Sequence, residues 1–467
     1  MTLSRREFLR RSSCSALGAA ALASGIDRFG LVQAFADGTS YKALVCVFLG
    51  GGNDGNNLVV PLDEEGYGSY AAVRSAAGLA LAQSSLLPIT PKSLGTPFGL
   101  HPSLAAIHPL FDDGRLAILT NVGPLIQPTS KQDYLSNAPR PYQLFSHSDQ
   151  IAQWQTSVST AVSPTGWGGR IADTFDVNPS GYPLITALAG GVFTRGQRTT
   201  ALTVAPAPTA LNQLLVLNGF GTAADERARL NAMTYIRGID LDSPLVAAAS
   251  GITQQALDIG KAFNADDALN TVFPNPPNGT TLGNQLKQVA KLIKFNLSNG
   301  AQALARQIFF CSLGGFDTHQ GQVATQASLL TQVGEALKAF YDATVELQVE
   351  SQVTTFTLSD FGRTFQPAGS MGTVGSDHAW GNHHLIIGGS VLGGDFYGVP
   401  GPSDTVFPTL QLGGPDDTDT RGRWIPTTSV DQYGATLARW FGVEETNIDT
   451  VFSQLRNFSI RDLRFML

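Results

Sequence analysis

Three apolar runs that each close on an acid or a histidine constrain this chain more than any other feature. ALVCVFL (Ala43 to Leu49) leads into Gly50-Gly51-Gly52-Asn53-Asp54-Gly55, and IFFCSLGGF (Ile308 to Phe316) leads into Asp317-Thr318-His319. VTTFTL (Val353 to Leu358) leads into Ser359-Asp360-Phe361-Gly362-Arg363. These runs read as buried strands. Between and around them lie segments with a helical period, such as Leu282 to Leu297, apolar at 282, 286, 289, 292 and 293. Strands alternating with helices predict an α/β fold, a central and mostly parallel sheet covered by helices on both faces. In such sheets the ligand site lies outside the carboxyl edge of the strands, where these polar tips fall.

The same reading places a strand at Arg115 to Val122 and another at His384 to Gly389. Helices are expected at Leu104–Phe111, Gln150–Ser159, Gly169–Phe175, Ala223–Ile239, Pro244–Phe263, Gln326–Gln348 and Asp431–Gly442. Tyr182 to Val216 breaks into short β-like pieces and reads as an excursion from the main sheet, a β-containing insertion over about residues 180–220. Pro274 to Thr280 reads as a linker, and Asp404 to Thr427 as a long loop with a hairpin.

The first residues decide the compartment. Ser4-Arg5-Arg6-Glu7-Phe8-Leu9-Arg10 has the form of a twin-arginine export motif, followed by an alanine-rich segment and by Ala34-Phe35-Ala36, an A-x-A cleavage site. The apolar stretch is too short and too broken by glycine to span a bilayer. Residues 1–36 are therefore expected to be a signal peptide and 37–467 a single domain, exported by the twin-arginine machinery to the periplasm or beyond. The arginines of the leader outnumber Glu7 and Asp27, so the remainder is more acidic than the net charge of −7 for the whole chain. With no basic stretch, nucleic acid and anionic membrane are poor partners. Cys46 and Cys311, both inside expected strands, read as two buried thiols.

His378, His383 and His384 crowd into one loop and strand start, GSDHAWGNHHLIIGG, beside Asp377. Adjacent residues of an extended backbone point to opposite faces, so at most one of His383 and His384 joins His378, and His384 is preferred. Asp317 and His319, two apart, can share a face or form an ordinary turn. Asp360 can ligate or pair with Arg363, whose planar fork also suits an anion. Asp54 can bind metal or cap a turn. Imidazoles mixed with carboxylates, with no cysteine in reach, suit a divalent metal, zinc or manganese. Gly50, Gly52 and Gly55 match G-x-G-x-x-G, but Asn56 to Pro61 reads as extended backbone where a dinucleotide site opens a helix, so no nucleotide is expected. In SHSDQIAQWQT, Ser148 reads as a helix cap, and a serine at such a helix start beside a metal is also where an activated nucleophile would be placed.

Together, FLGGGNDGNNLVVP, SHSDQIAQWQT, GWGGR, GGFDTHQGQ, SDFGRT, GSDHAWGNHH, GGSVLGGDFYG and YGATLARWFG resemble domain of unknown function family 1501, over nearly the whole exported chain. That family is placed by distant similarity with the alkaline phosphatase and sulfatase superfamily. The resemblance implies an alkaline phosphatase-like sheet carrying a two-metal site with Asp54, Asp317, His319, Asp360 and His378 or His384 as ligands. It also implies a nucleophile, for which Ser146 is the nearest match. The sequence departs from that pattern at Asp317 and His319, two apart instead of four, and at Phe361, which stands where a ligand histidine would be. The resemblance thus implies a metal-dependent hydrolase of phosphate or sulfate esters, and the planar fork of Arg363 would suit their anionic oxygens. The departures point instead to a non-catalytic protein of the same fold that binds a surface polymer or partner.

Overall fold

A computed structural model describes residues 41–175, 184–214, 219–220, 222–262, 268–274, 281–299, 303–369 and 373–467. The expected leader, and parts of the expected insertion and linker, lie outside the described residues.

The strands are β1 (Lys42–Leu49), β2 (Val59–Pro61), β3 (Leu87–Ile89), β4 (Phe98–Leu100), β5 (Leu116–Gly123), β6 (Ile185–Ala187), β7 (Leu202–Thr203), β8 (Arg306–Leu313), β9 (Val353–Ser359), β10 (Asn382–Gly388), β11 (Phe396–Tyr397) and β12 (Thr428–Ser429). Nine of them form one sheet in the order β11-β5-β10-β9-β1-β8-β6-β7, with β12 also on β5. β1 is central and parallel to both β8 and β9. Alternate residues of its run face opposite ways: Val45, Val47 and Leu49 enter one hydrophobic cluster, and Leu44, Cys46 and Phe48 the other. A strand buried on both faces has no polar alternation, which is why its sequence is continuously apolar. Cys46 and Cys311 are buried free thiols, as expected.

The helices used below are α1 (Gly55–Leu58), α2 (Glu64–Arg74), α3 (His147–Thr156), α4 (Trp167–Asp173), α5 (Ala224–Arg237), α6 (Pro244–Ala262), α7 (Thr281–Ser298), α8 (Gln322–Glu346) and α9 (Val430–Phe441). Apolar residues of α7 and α8 join Val45 and Val47 on one face, while Trp154 of α3, Trp167 of α4 and the buried side of α9 cover the other. Among the described residues, no helix is long and apolar enough to cross a membrane.

Four expectations need correction. The stretch read as an excursion does carry short strands, but β6 pairs parallel with β8 and β7 with β6, so they widen the main sheet. Leu104–Phe111 is not one helix: a 3-10 turn at Pro102–Leu104 and a short helix at Pro109–Asp112 divide it, with Pro109 opening the second piece. Directly after Gly55 the backbone makes the single turn of α1 before β2, and that turn is only four residues long. A second, three-stranded sheet, β2-β4-β3, was not foreseen.

One strand direction matters for the site. β10 runs antiparallel to both β9 and β5. Its amino end therefore lies at the edge where β1, β8 and β9 have their carboxyl ends. His378, just ahead of β10, reaches that edge because the chain enters the strand there.

Candidate metal centre

Glycine lets the strand-end loops close on one another. Gly51 and Gly52 have φ of +115° and +85°, in the left-handed region. A Cβ on Gly51 would stand 2.3 Å from the Asp317 backbone nitrogen, and one on Gly52 2.5 Å from the Phe361 ring. The loops after β1, β8 and β9 are thereby in direct contact.

Three imidazoles and one carboxylate converge there. Asp317 Oδ1 lies 3.0 Å from His319 Nε2 and 3.4 Å from His378 Nε2, while its Oδ2 lies 3.5 Å from His147 Nε2. The Nε2 atoms of His319 and His378 are 3.0 Å apart. Each ring is held by its other nitrogen. His147 Nδ1 donates to Asp360 Oδ2 at 2.7 Å, and His378 Nδ1 to the Phe145 carbonyl at 2.7 Å. His319 Nδ1 lies 3.2 Å from Asp377 Oδ1. The Phe145 carbonyl can only accept, so the His378 proton sits on Nδ1, and the Asp360 carboxylate 2.7 Å behind His147 favours the same form there, while His319 faces a carboxylate at both nitrogens. The Nε2 atoms of all three rings converge on Asp317. His147 Nε2 is buried and has no hydrogen-bond partner among the described residues.

The surroundings reinforce this arrangement. Asp360 also accepts from the Gly51 N–H at 2.9 Å; burial raises its carboxyl above the ordinary range, against the pull of His147 and Gly51. Asp377 is tied to Arg421 at 2.6 Å. Burial raises the Asp377 and Asp317 carboxyls, but Arg421 with His319, and Arg363 with His319 and His147, outweigh it and leave both below the usual range. Burial lowers His378, the Phe145 carbonyl opposes that, and the charges of His147 and Arg363 add to the lowering. Phe361 packs its ring against His147 and His378, centroids 4.7 and 4.6 Å away. Where the resemblance would put a ligand, this chain has a wall that fixes two rings.

The donor set fits a metal. Two Nε2 lone pairs 3.0 Å apart, a buried Nε2 without a donor, and a carboxylate between them form an arrangement that a cation would satisfy. Histidines whose Nδ1–H is fixed by carboxylate or carbonyl are the usual outer support of metal-ligating imidazoles. His147, Asp317 and His378 can offer ligand atoms within 4.8 Å of one another, and His319 borders them. Histidine with carboxylate suits zinc, and manganese less well.

Of the residues anticipated from sequence, Asp317, His319, His378 and Asp360 come together here, Asp360 as the acceptor behind His147 and not among the inner donors. His384 does not. It lies inside β10, buried against the Trp154 ring with centroids 4.7 Å apart, and its Nδ1 is 3.4 Å from Thr357 Oγ1. Strand alternation turns His383 to the other face, onto Phe407, so neither histidine joins His378. Asp54 is also turned elsewhere. It caps α1, accepting from the Asn56 backbone and side chain at 3.1 Å each, and pairs with buried Arg74. Arg363 is fully engaged by Asp317 Oδ1 at 2.8 Å, by Ser376 and by the Gly51 carbonyl, so it is not a free anion holder. Ser146, not Ser148, is the residue before α3, and its hydroxyl donates to Asp149 Oδ2 at 2.6 Å.

His147 is the functional residue that sequence reasoning missed. It stands between two serines that drew the attention, and its partner Asp360 is 213 positions away. Only its recurrence in a polar tip among the other motifs could have marked it.

A family model described as "Protein of unknown function (DUF1501)" matches residues 41–402. No curated protein matches the chain. Among solved structures, Ps i-CgsB in complex with k-i-k-neocarrahexaose aligns at 9% identity over 87% of this chain and 74% of that one, with a TM-score of 0.34. A 2-O GAG sulfatase aligns at 11% identity over 88% and 74%, with a TM-score of 0.29. Likeness at that level assigns no chemistry, which has to come from the side chains themselves.

Proposed function

This chain belongs to the DUF1501 family, and we propose, from its side chains, that it is an exported metal-dependent hydrolase of phosphate or sulfate esters. The observation that carries this reading is the convergence of three Nε2 atoms, each with its Nδ1 held by an acceptor, around Asp317. His147, His319, His378 and Asp317 would hold the ion. When bound, a divalent ion polarises an ester oxygen and stabilises the negative charge that develops in the transition state.

The chain's own groups prepare that role. Asp360, Asp377 and the Phe145 carbonyl hold the three Nδ1 atoms and so aim the Nε2 atoms inward. Phe361 excludes water from one side of His147 and His378. Side-chain exposures of 32% for His147, 45% for Asp317 and 44% for His319 leave the cluster open to a ligand from solvent. Export by the twin-arginine route belongs to the same proposal and rests on Ser4 to Arg10 and Ala34-Phe35-Ala36. That route carries folded proteins, which suits a metal enzyme loaded before export.

A second reading, a non-catalytic metal-binding member of the fold that holds a surface polymer, draws support from one observation. Arg363 and Ser146, the expected anion holder and nucleophile, already have partners in Asp317 and Asp149. A screen of aryl phosphate and aryl sulfate esters separates the two. The hydrolase reading expects turnover that a chelator abolishes and added zinc or manganese restores, absent in Asp317→Ala and His378→Ala. Chelator-insensitive rates, or unchanged rates in both variants, would overturn it.

A further inference from the structure

Behind the cluster lies a line of buried polar groups that the metal reading does not use. Arg74 and Asp54, both with fully buried side chains, form an ion pair. Gln322, the first residue of α8 and fully buried, donates its Nε2 to Asp54 Oδ2. Its Oε1 accepts from the Ser376 hydroxyl. Ser376 in turn takes Arg363 twice: Nη2 donates to its carbonyl, and Nε lies 3.4 Å from its hydroxyl. The remaining Nη1 of Arg363 donates to Asp317 Oδ1 at 2.8 Å.

We infer that Gln322 is a positioning residue for the metal centre, acting through Ser376 and Arg363 on Asp317. The inference rests on the metal reading above for its consequence, though not for its geometry. A carboxamide can donate to a carboxylate at one end and accept from a hydroxyl at the other, without itself titrating. It therefore fixes which way the Ser376 hydroxyl points, toward Gln322 and with its lone pairs left for Arg363 Nε. Arg363, seated in that way, takes Oδ1 of Asp317 and leaves Oδ2 facing His147 Nε2. The Arg74–Asp54 pair is the anchor, so Asp54 serves the centre from behind instead of ligating in it. Burial makes the line demanding: each member left without its partner keeps the full desolvation penalty of an unmet polar group.

The test compares two buried glutamines of α8. Gln322→Leu breaks the line. Gln326→Leu removes an equally buried amide that bonds to the Asp54 carbonyl at 2.9 Å and lies off the route to Arg363. Zinc affinity, read by competition with a chromophoric chelator, is expected to fall about tenfold in Gln322→Leu and to stay at the wild-type value in Gln326→Leu, with similar losses of Tm. Ser376→Ala added to Gln322→Leu is expected to weaken binding little further, because both cut one line. In metal-free protein, the Arg363 Nε–H, assigned by NMR with Arg363→Lys, is expected to exchange slowly with water in wild type and Gln326→Leu and quickly in Gln322→Leu. Equal zinc affinities in the two leucine variants, or unchanged Nε–H exchange in Gln322→Leu, would overturn the inference. A wild-type protein that binds no zinc or manganese would remove the metal reading alone, and the exchange measurement would still decide whether Gln322 seats Arg363.

Discussion

His378 and His384 stand in one short stretch of sequence, yet the structure gives them opposite environments. His378 lies in the loop that enters β10, with Nδ1 on a carbonyl and Nε2 3.0 Å from another imidazole. His384 lies within β10, wedged against Trp154, and its Nε2 has no hydrogen-bond partner among the described residues. Burial lowers both, and in His384 it holds the pKa at about 3, with His383 adding to the effect. Burial thus disfavours the charged form of both rings, but only one is aimed. What separates a ligand-like histidine from a core histidine here is the acceptor behind it and the carboxylate in front, not its neighbours along the chain.

Replacing the acceptor is the strongest way to break that contrast. Asp360→Asn leaves His147 in place but removes the charge behind its Nδ1, and metal affinity is expected to fall about 10- to 100-fold. Chelator competition measures it; an affinity equal to wild type would mean that Asp360 supports the fold and not the centre. His384→Leu sharpens the other side. It removes a buried nitrogen without a partner at similar volume, so metal content is expected to be unchanged and stability at pH 8 close to wild type. The acid side differs. The folded pKa of His384 is about 3 against an ordinary 6.5, so the stability gained by keeping it neutral is complete above pH 6.5 and is lost as pH falls toward 3. The variant should show a stability–pH slope shallower by about 1.4 kcal/mol per pH unit in that window. Urea titrations at pH 8 and pH 5 read the difference, and parallel slopes would contradict the buried neutral assignment.

The parts of this picture legible in the sequence are those decided by local composition. Continuous apolar runs marked β1, β8 and β9, and the polar residues at their ends marked the edge where Asp317, His319, Asp360 and His378 meet. Pairing across the fold was not legible. Asp54 looked available because its partner Arg74 is one more charged residue on α2, with nothing in the pattern of Glu64 to Arg74 to single it out. Arg363 looked free for an anion because its carboxylate lies on the loop after β8. His384 was preferred over His383 on alternation alone, which separates the two faces of a strand but does not say that either face is the site. His147 was hidden for the converse reason: it opens α3, far in sequence from Asp360, and becomes a member of the cluster only when α3 is laid against the edge of the sheet.

Elemental analysis of the protein, purified without chelator beside an Asp317→Ala/His378→Ala variant, tests the central claim most directly. About one zinc or manganese per chain in wild type, lost in the variant while its circular dichroism and Tm still report a folded protein, is the expected result. No metal in either protein, with wild type still failing to take up added zinc or manganese, would contradict it.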